Sequence, residues 1–386
     1  MRDLAADLER QATLNLYRTR NIIDGPQGPA VIIDNRRYLS FCSNDYLGLA
    51  NHPKIVAALQ QGAVKYGVGS GASHLISGHS RAHHQLEERL AELTGRPRSL
   101  LFSTGYMANL GVLSALARRG DIIFEDRLNH ASLIDAGLLS GAQLQRYPHG
   151  DTEALMGRLA GAGKRLRFIA SDGVFSMDGD LAPLPRLVDL AQQYDACLMI
   201  DDAHGFGVMG IHGRGTLEHY NYGVMEVPVL VCTLGKALGV FGAFVAGNEA
   251  LIETLIQHAR TYVYTTALPP AVAFATMASL ELLEQESWRR KQLFNLVKQF
   301  RDGASQLGLP IRSSMTPIQP LIVGDSETAL DISRTLHNQG ILISAIRPPT
   351  VPEGSARLRI TLSAGHTQSD IEQLLDALNK VMKERS

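Results

Sequence analysis

The segment TLGKALGVFGAFVAG, residues 233–247, contains one charged side chain, Lys236, among alanines, leucines, valines, phenylalanines and four glycines. An ammonium group in apolar surroundings loses its hydration, and it commonly escapes that cost by giving up its proton. A neutral lysine amine is a nucleophile that condenses with aldehydes to form imines. Position 236 is therefore expected to be a Schiff-base lysine, uncharged and shielded from water. The rest of the chain must supply the groups such chemistry needs.

Several polar residues stand directly after apolar runs of strand length. Ser176 follows RFIASDGVF, Asp201 follows ACLMI with His204 three residues on, and Thr233 follows PVLVC. After SLLF come Ser103, Thr104, Gly105 and Tyr106, opening a helical pattern, YMANLGVLSAL. In an open parallel sheet, ligands bind outside the carboxyl ends of the strands, which is where these groups gather. Pyridoxal phosphate is an aldehyde cofactor whose needs match them. Its pyridinium requires an anionic partner, and Asp201 has the charge and the position. Its phosphate requires hydroxyls and backbone N–H groups at a helix N-terminus, which Thr233, Gly105 and Tyr106 offer. His204 suits a hydrogen bond to the phenolic oxygen, and His130, in DRLNHASL, offers a flat ring to stack on the cofactor. Taken singly, Asp201 reads as a helix cap and each histidine as an ordinary surface or core residue. Their conjunction with Lys236 after successive strands carries the assignment.

The elements that must position these groups are legible between about 98 and 250. RSLLF, DIIFED, RFIASD, ACLMID and PVLVC have the length and apolar content of buried strands, and segments such as LPRLVDLAQQYD between them have helical spacing. The alternation predicts an α/β fold with a mostly parallel central sheet and helices on both faces. Beyond about 285 a helical stretch, IQPLIVGD, a second helix, ILISAI, ARLRITL and a closing helix predict a smaller α+β domain. The expected division is an N-terminal helix and segment over 1–45, a large domain over 46–285 and a small one over 286–386. At the start, Leu4 and Leu8 are spaced for one helix face.

Composition bounds the function. The 386 residues are 45% hydrophobic and 19% charged, ordinary for a globular enzyme. Lys and Arg number 37 against 38 Asp and Glu, so no overall charge favours nucleic acid or an anionic membrane. Acidic residues near the start fit neither a signal nor a transit peptide. Cys42, Cys197 and Cys232 form no C-x-x-C pair and read as reduced thiols of a cytoplasmic protein. The apolar run 227–247 approaches membrane length but holds Pro228, Lys236 and four glycines, so it reads as buried interior. GFGVMG, residues 205–210, matches G-x-G-x-x-G, yet no helix pattern follows to make it a nicotinamide site. His79 and His83 in HSRAHH have i, i+4 spacing but show no third metal ligand, and they are expected on a solvated helix face.

DGVFSMDGDLAPL, DDAHGFGVMGIHGRG and TLGKALGVFG resemble the α-oxoamine synthases, which are fold-type I pyridoxal phosphate transferases, and the likeness runs from FCSNDYLGL to ARLRITLSAGHT. The resemblance implies that Lys236 carries the cofactor as an imine and removes the substrate Cα proton, with Asp201 on the pyridine nitrogen. It further implies His204 and Ser176 on the ring-oxygen side, His130 stacked on the ring, and Gly105, Tyr106 and Thr233 around the cofactor. Thr265 or Thr266 would reach the phosphate from a neighbouring subunit of a homodimer. Arg359 would grip the amino-acid carboxylate, and Arg18, Asn44 and Thr350 would line the acyl-substrate side. IQPLIVGD and IRPPTVPEGSARLRITL point within the family to condensation of L-alanine with pimeloyl-CoA or pimeloyl-[acyl carrier protein] in biotin biosynthesis, with loss of carbon dioxide. The alternatives are a sister enzyme taking glycine and an acetyl thioester, or a non-catalytic cofactor-binding scaffold.

Overall fold

The computed structural model describes residues 3–385. Along them run the strands β1 (Ala30–Ile33), β2 (Arg36–Ser40), β3 (Arg98–Phe102), β4 (Ile122–Asp126), β5 (Gln143–Tyr147), β6 (Arg167–Asp172), β7 (Ala196–Asp201), β8 (Val229–Thr233), β9 (Ala243–Gly247), β10 (Ile318–Gly324), β11 (Ile341–Leu342), β12 (Ser344–Ile346) and β13 (Ala356–Thr361). The chain divides into two compact units. The larger comprises His52–Ser176 and Leu181–Ser287; the smaller joins the residues up to Asn51 with Met177–Asp180 and the chain from Trp288 onward.

The larger unit is built on a seven-stranded sheet in the order β3-β9-β8-β7-β6-β4-β5. From β8 to β5 every pairing is parallel, while β9 is antiparallel to both its neighbours. The reason is local: only residues 234–242 join β8 to β9, too few for the crossover a parallel pair needs. All five residues of β4 and the last four of β7 are buried, as expected of strands covered on both faces. One contiguous core joins Leu100, Ile123, Met199, Val231 and Val245 of the sheet to Val112, Leu133, Ile252 and Leu255 of the covering helices. The apolar run 227–247 is thus the β8–β9 hairpin, and no helix among the described residues is long and apolar enough to cross a membrane.

The two sequence decoys resolve differently. GFGVMG lies in a series of turns followed by a helix of five residues, Thr216–Tyr220. Gly207 in it has φ +85°, and a Cβ there would lie 2.5 Å from the Cβ of Ala237, the residue after Lys236. Glycine there allows the turn to pack against the lysine loop. The expectation of a solvated face for HSRAHH is overturned. The helix starts at Arg81, His83 is 0% exposed, its Nδ1 accepts from Ser80 N–H at 3.0 Å, and its Nε2 donates to Leu268 O at 2.5 Å. The imidazole caps the helix, a role that two-position spacing does not reveal.

The smaller unit holds two three-stranded sheets, β10-β13-β12, which is antiparallel, and β1-β2-β11. Helices Trp288–Gln306, Ser326–Asn338 and Gln368–Lys383 accompany them. Within this unit Asp178 forms a buried ion pair with Arg357 of β13 at 2.7 Å, and Gly179 O accepts from Ser314 and Thr316. The N-terminal helix forms over Leu4–Thr13, but Leu4 and Leu8 are 64% and 48% exposed and none of its residues is buried.

Candidate active site

Lys236 lies three residues past the end of β8, on the turn into β9, and is half-buried. Asp201 ends β7, the strand beside β8, and is 6% exposed. Its two oxygens are held separately: Oδ2 accepts from Asn109 Nδ2 at 2.6 Å and Oδ1 from Ala203 N–H at 3.0 Å. Donors fixed on both oxygens set the plane of the carboxylate.

A chain of hydrogen bonds continues from Asp201. Asn109 Nδ2 also donates to Ser132 Oγ at 2.8 Å, and Ser132 Oγ lies 2.7 Å from His130 Nδ1. Asn109 and Ser132 are buried, while His130 is solvent-exposed at the N-cap of the helix Ala131–Leu139. The His130 backbone N–H donates to Asp172 Oδ2 at 2.8 Å. Asp172, paired in register with Asp201 across β6 and β7, has its carboxyl pushed well up by burial and then by the Asp201 charge, against the pull of Lys236. Desolvation lowers the His130 imidazole; Asp201 raises it and Lys236 lowers it further. Lys236, Asp201, His130 and Asp172 therefore share one electrostatic neighbourhood. Asn109, Ser132 and Asp172 were not found from the sequence. A polar residue inside the apolar pattern YMANLGVLSAL was the available signal for Asn109.

The helix Gly105–Leu116 starts directly after β3, capped by Thr104, whose Oγ1 accepts from Met107 N–H at 3.1 Å. Helix geometry leaves the N–H groups of Gly105 and Tyr106 outside the intrahelical pattern. A Cβ at Gly105 would meet nothing within 4 Å, so space is open beside this residue. Tyr106 is 42% exposed and its hydroxyl donates to Asp135. Thr233 closes β8, its Oγ1 donating to Gly242 O at 3.1 Å. His204 is 8% exposed in the turns after β7, Ser176 is half-buried in the turn after β6, and Thr265 and Thr266 lie in the loop before the helix Pro270–Gln285. A carboxylate at the end of β7, a helix start after β3 and a lysine on the turn after β8 fit the demands of pyridoxal phosphate.

The smaller unit holds the remaining predicted residues. Arg359 on β13 is 7% exposed and donates through both Nη1 and Nη2 to Asn44 Oδ1, each at 3.2 Å. Tyr46 donates to the same Asn44 oxygen at 3.2 Å. Arg18 Nη2 donates to Thr350 Oγ1 at 3.2 Å, and both residues line a cavity of about 580 Å³. Arg347 lines that cavity too and was not found from the sequence; burial and then Arg18 lower its pKa, so two guanidiniums oppose each other there.

Fold and site together define a fold-type I pyridoxal phosphate transferase. The chain belongs to the aminotransferase class I and II family, which residues 36–378 match, and within it to the α-oxoamine synthases. A protein of Nitrosococcus oceani called 8-amino-7-oxononanoate synthase is 61% identical over 376 residues, covering 97% of this chain and 100% of that one. The solved structure of 8-amino-7-oxononanoate synthase from Francisella tularensis superposes with a TM-score of 0.80 at 33% identity, covering 90% of this chain and 98% of the other. A serine palmitoyltransferase from S. paucimobilis, solved with a bound PLP–myriocin aldimine, gives a TM-score of 0.94 at 28% identity over 99% of each chain.

Proposed function

We propose that this chain condenses L-alanine with a pimeloyl thioester, releasing carbon dioxide and the carrier thiol and yielding 8-amino-7-oxononanoate, a step of biotin biosynthesis. The near full-length 61% identity to a relative of that name supports the substrates. The observation that carries the chemistry is the neighbourhood in which Lys236 acts electrostatically on His130 and Asp172 alongside Asp201.

Pyridoxal phosphate, when bound, supplies an electron sink for the charge that develops at the amino-acid Cα. Asp201, fixed by Asn109 and the Ala203 N–H, keeps a negative charge in place for the ring nitrogen. Gly105 and Tyr106 would present N–H groups to the phosphate at the positive end of their helix, with the Thr233 hydroxyl at the end of β8 as a further polar group. Thr265 or Thr266 adds a hydroxyl from a second subunit. The exposed His130 offers its ring for stacking while Ser132 fixes its Nδ1. His204 and Ser176 serve the ring-oxygen side. The Lys236 amine takes the Cα proton and later returns one, which suits its half-buried setting between the Asp201 charge and the apolar loop.

In the smaller unit, Arg359 holds the amino-acid carboxylate, its planar fork already oriented by Asn44. The cavity with Arg18, Arg347 and Thr350 suits an anionic acyl donor. Assembly as a homodimer would cover exposed apolar side chains, among them Val64 at 91%, Val68 at 86% and Tyr264 at 73%. Three free cysteines, all with thiols pushed up by burial, fit a reducing cytoplasmic setting.

Product mass after incubation with pyridoxal phosphate, L-alanine and pimeloyl-CoA tests the proposal, with glycine and acetyl-CoA as the crossed pair. Amino-oxononanoate is the expected product. A turnover confined to glycine and acetyl-CoA would transfer the assignment to the sister reaction, and no turnover with either pair would favour a silent scaffold.

A further inference from the structure

The turn and helix around residues 74–94 carry a group of titratable side chains for which the proposed reaction has no use. His74 opens a π-helical turn, His74–Gly78, His79 follows it, and His83, His84 and Glu87 lie on the helix Arg81–Thr94. The ligand atoms of His79, His84 and Glu87 all lie within 4.8 Å of one another, and the three residues line one cavity of about 280 Å³. His83 does not belong with them, since both its ring nitrogens are committed to Ser80 and Leu268.

Neighbouring bonds aim the three groups. His74 Nδ1 lies 3.0 Å from His79 Nδ1, so a proton on His79 Nδ1 leaves the lone pair on Nε2. That Nε2 lies 3.9 Å from Glu87 Oε2. The other oxygen, Glu87 Oε1, accepts from Leu101 N–H at 2.9 Å, which orients the carboxylate. A partner on the far ring nitrogen and a hydrogen bond on the ligating carboxylate are the supports that metal ligands characteristically receive. The His79 and Glu87 side chains are 29% and 12% exposed. His84 is the adjustable member: its side chain is 51% exposed and its Nε2 is 3.4 Å from the exposed Glu88.

We propose that His79, His84 and Glu87 form a binding site for a divalent transition-metal ion of the zinc class, with its remaining coordination left to water. Two imidazoles and one carboxylate are a donor set such ions take in open tetrahedral sites. Ligand atoms around zinc stand about 3.3 Å apart, so a rotation of the exposed His84 and a shift of under about 1 Å between His79 and Glu87 close the shell.

The test is zinc titration of the holoenzyme against a chromophoric chelator, with magnesium as a control ion. One equivalent of zinc is expected to bind and magnesium to leave no effect at the same concentration. His84→Ala, at a half-exposed position that the fold does not need, and His79→Ala should each weaken zinc at least about tenfold. Glu87→Gln should do the same, and a melting temperature raised by zinc in the wild type should not rise in His84→Ala. Equal zinc affinity in the wild type and His84→Ala would overturn the site, as would a wild type that binds no zinc.

Discussion

Replacing Asn109 with alanine separates the support of the site from the support of the fold. Its Nδ2 donates to Asp201 Oδ2 at 2.6 Å and to Ser132 Oγ at 2.8 Å, while its Oδ1 is buried without a hydrogen-bond partner. A hydrogen bond to an ionised group contributes about 1.5–3 kcal/mol, and the Asp201 anion loses that much in Asn109→Ala. An unsatisfied buried carbonyl costs about 1–3 kcal/mol, and the same substitution removes it. The two effects nearly cancel in folding but not in the proposed catalysis, where Asp201 would serve the ring nitrogen of the bound cofactor. The expected outcome is a melting temperature within about 4 °C of wild type, with kcat/KM lower by about 10–150-fold and most of the loss in kcat. Asn109→Asp should be worse, because it sets a second carboxylate at hydrogen-bond distance from the first. Steady-state kinetics, thermal melts and the visible absorbance of the holoenzyme read these outcomes. A folded Asn109→Ala enzyme with kcat/KM within threefold of wild type would refute the reasoning.

Lys236→Ala should abolish both turnover and the imine absorbance of the bound cofactor; retention of either, measured spectrophotometrically, would remove Lys236 from its role. Arg359→Lys keeps the charge but loses the paired donors, so KM for the amino acid should rise about 10–100-fold with a smaller change in kcat, seen by varying alanine at saturating thioester. Glu125, fully buried on β4 with no partner for either carboxyl oxygen, has its pKa raised by burial to about 8, against a weaker pull from Arg146. Its native form is the protonated one, so the wild type should lose stability as pH rises from about 4.5 to about 8, by at most about 1.4 kcal/mol per unit from this group. Thermal melts of Glu125→Gln should show that slope flattened, with the variant gaining on the wild type at pH 8 and not at pH 5; parallel pH profiles would contradict the assignment.

The parts of the fold that were legible are those whose chemistry is local in the chain. Buried parallel strands announce themselves as apolar runs, and β7 and β8 end at Asp201 and Thr233, where polar groups were expected, with Lys236 three residues on; β6 ends at Asp172, four residues before the expected Ser176. β9 was hidden because its apolar residues merged with those of β8 and the glycine-rich turn into one run. The 3.6-residue pattern found the N-terminal helix but not its exposure, since pattern alone does not say what covers a face. HSRAHH failed for a related reason: i, i+4 spacing presupposes that both residues lie on the helix, whereas His79 precedes it and His83 caps it.

Hydrogen-bond partners were the least legible layer, because they join residues far apart in sequence. Asn109 reaches Asp201 across 92 positions, and Arg359 reaches Asn44 across 315. No periodicity connects such pairs, yet they determine what the chemically suggestive residues can do. An aspartate after a strand is commonly a helix cap, and here its two oxygens take donors from Asn109 on another element and from the Ala203 N–H. Asp202, the next residue, shows the contrast: its carboxylate accepts from Thr216 N–H at 2.7 Å and Thr216 Oγ1 at 2.9 Å, bonds that fasten a turn. Two adjacent aspartates of one motif thus take different tasks, and what separates them is the set of donors that the fold brings to each.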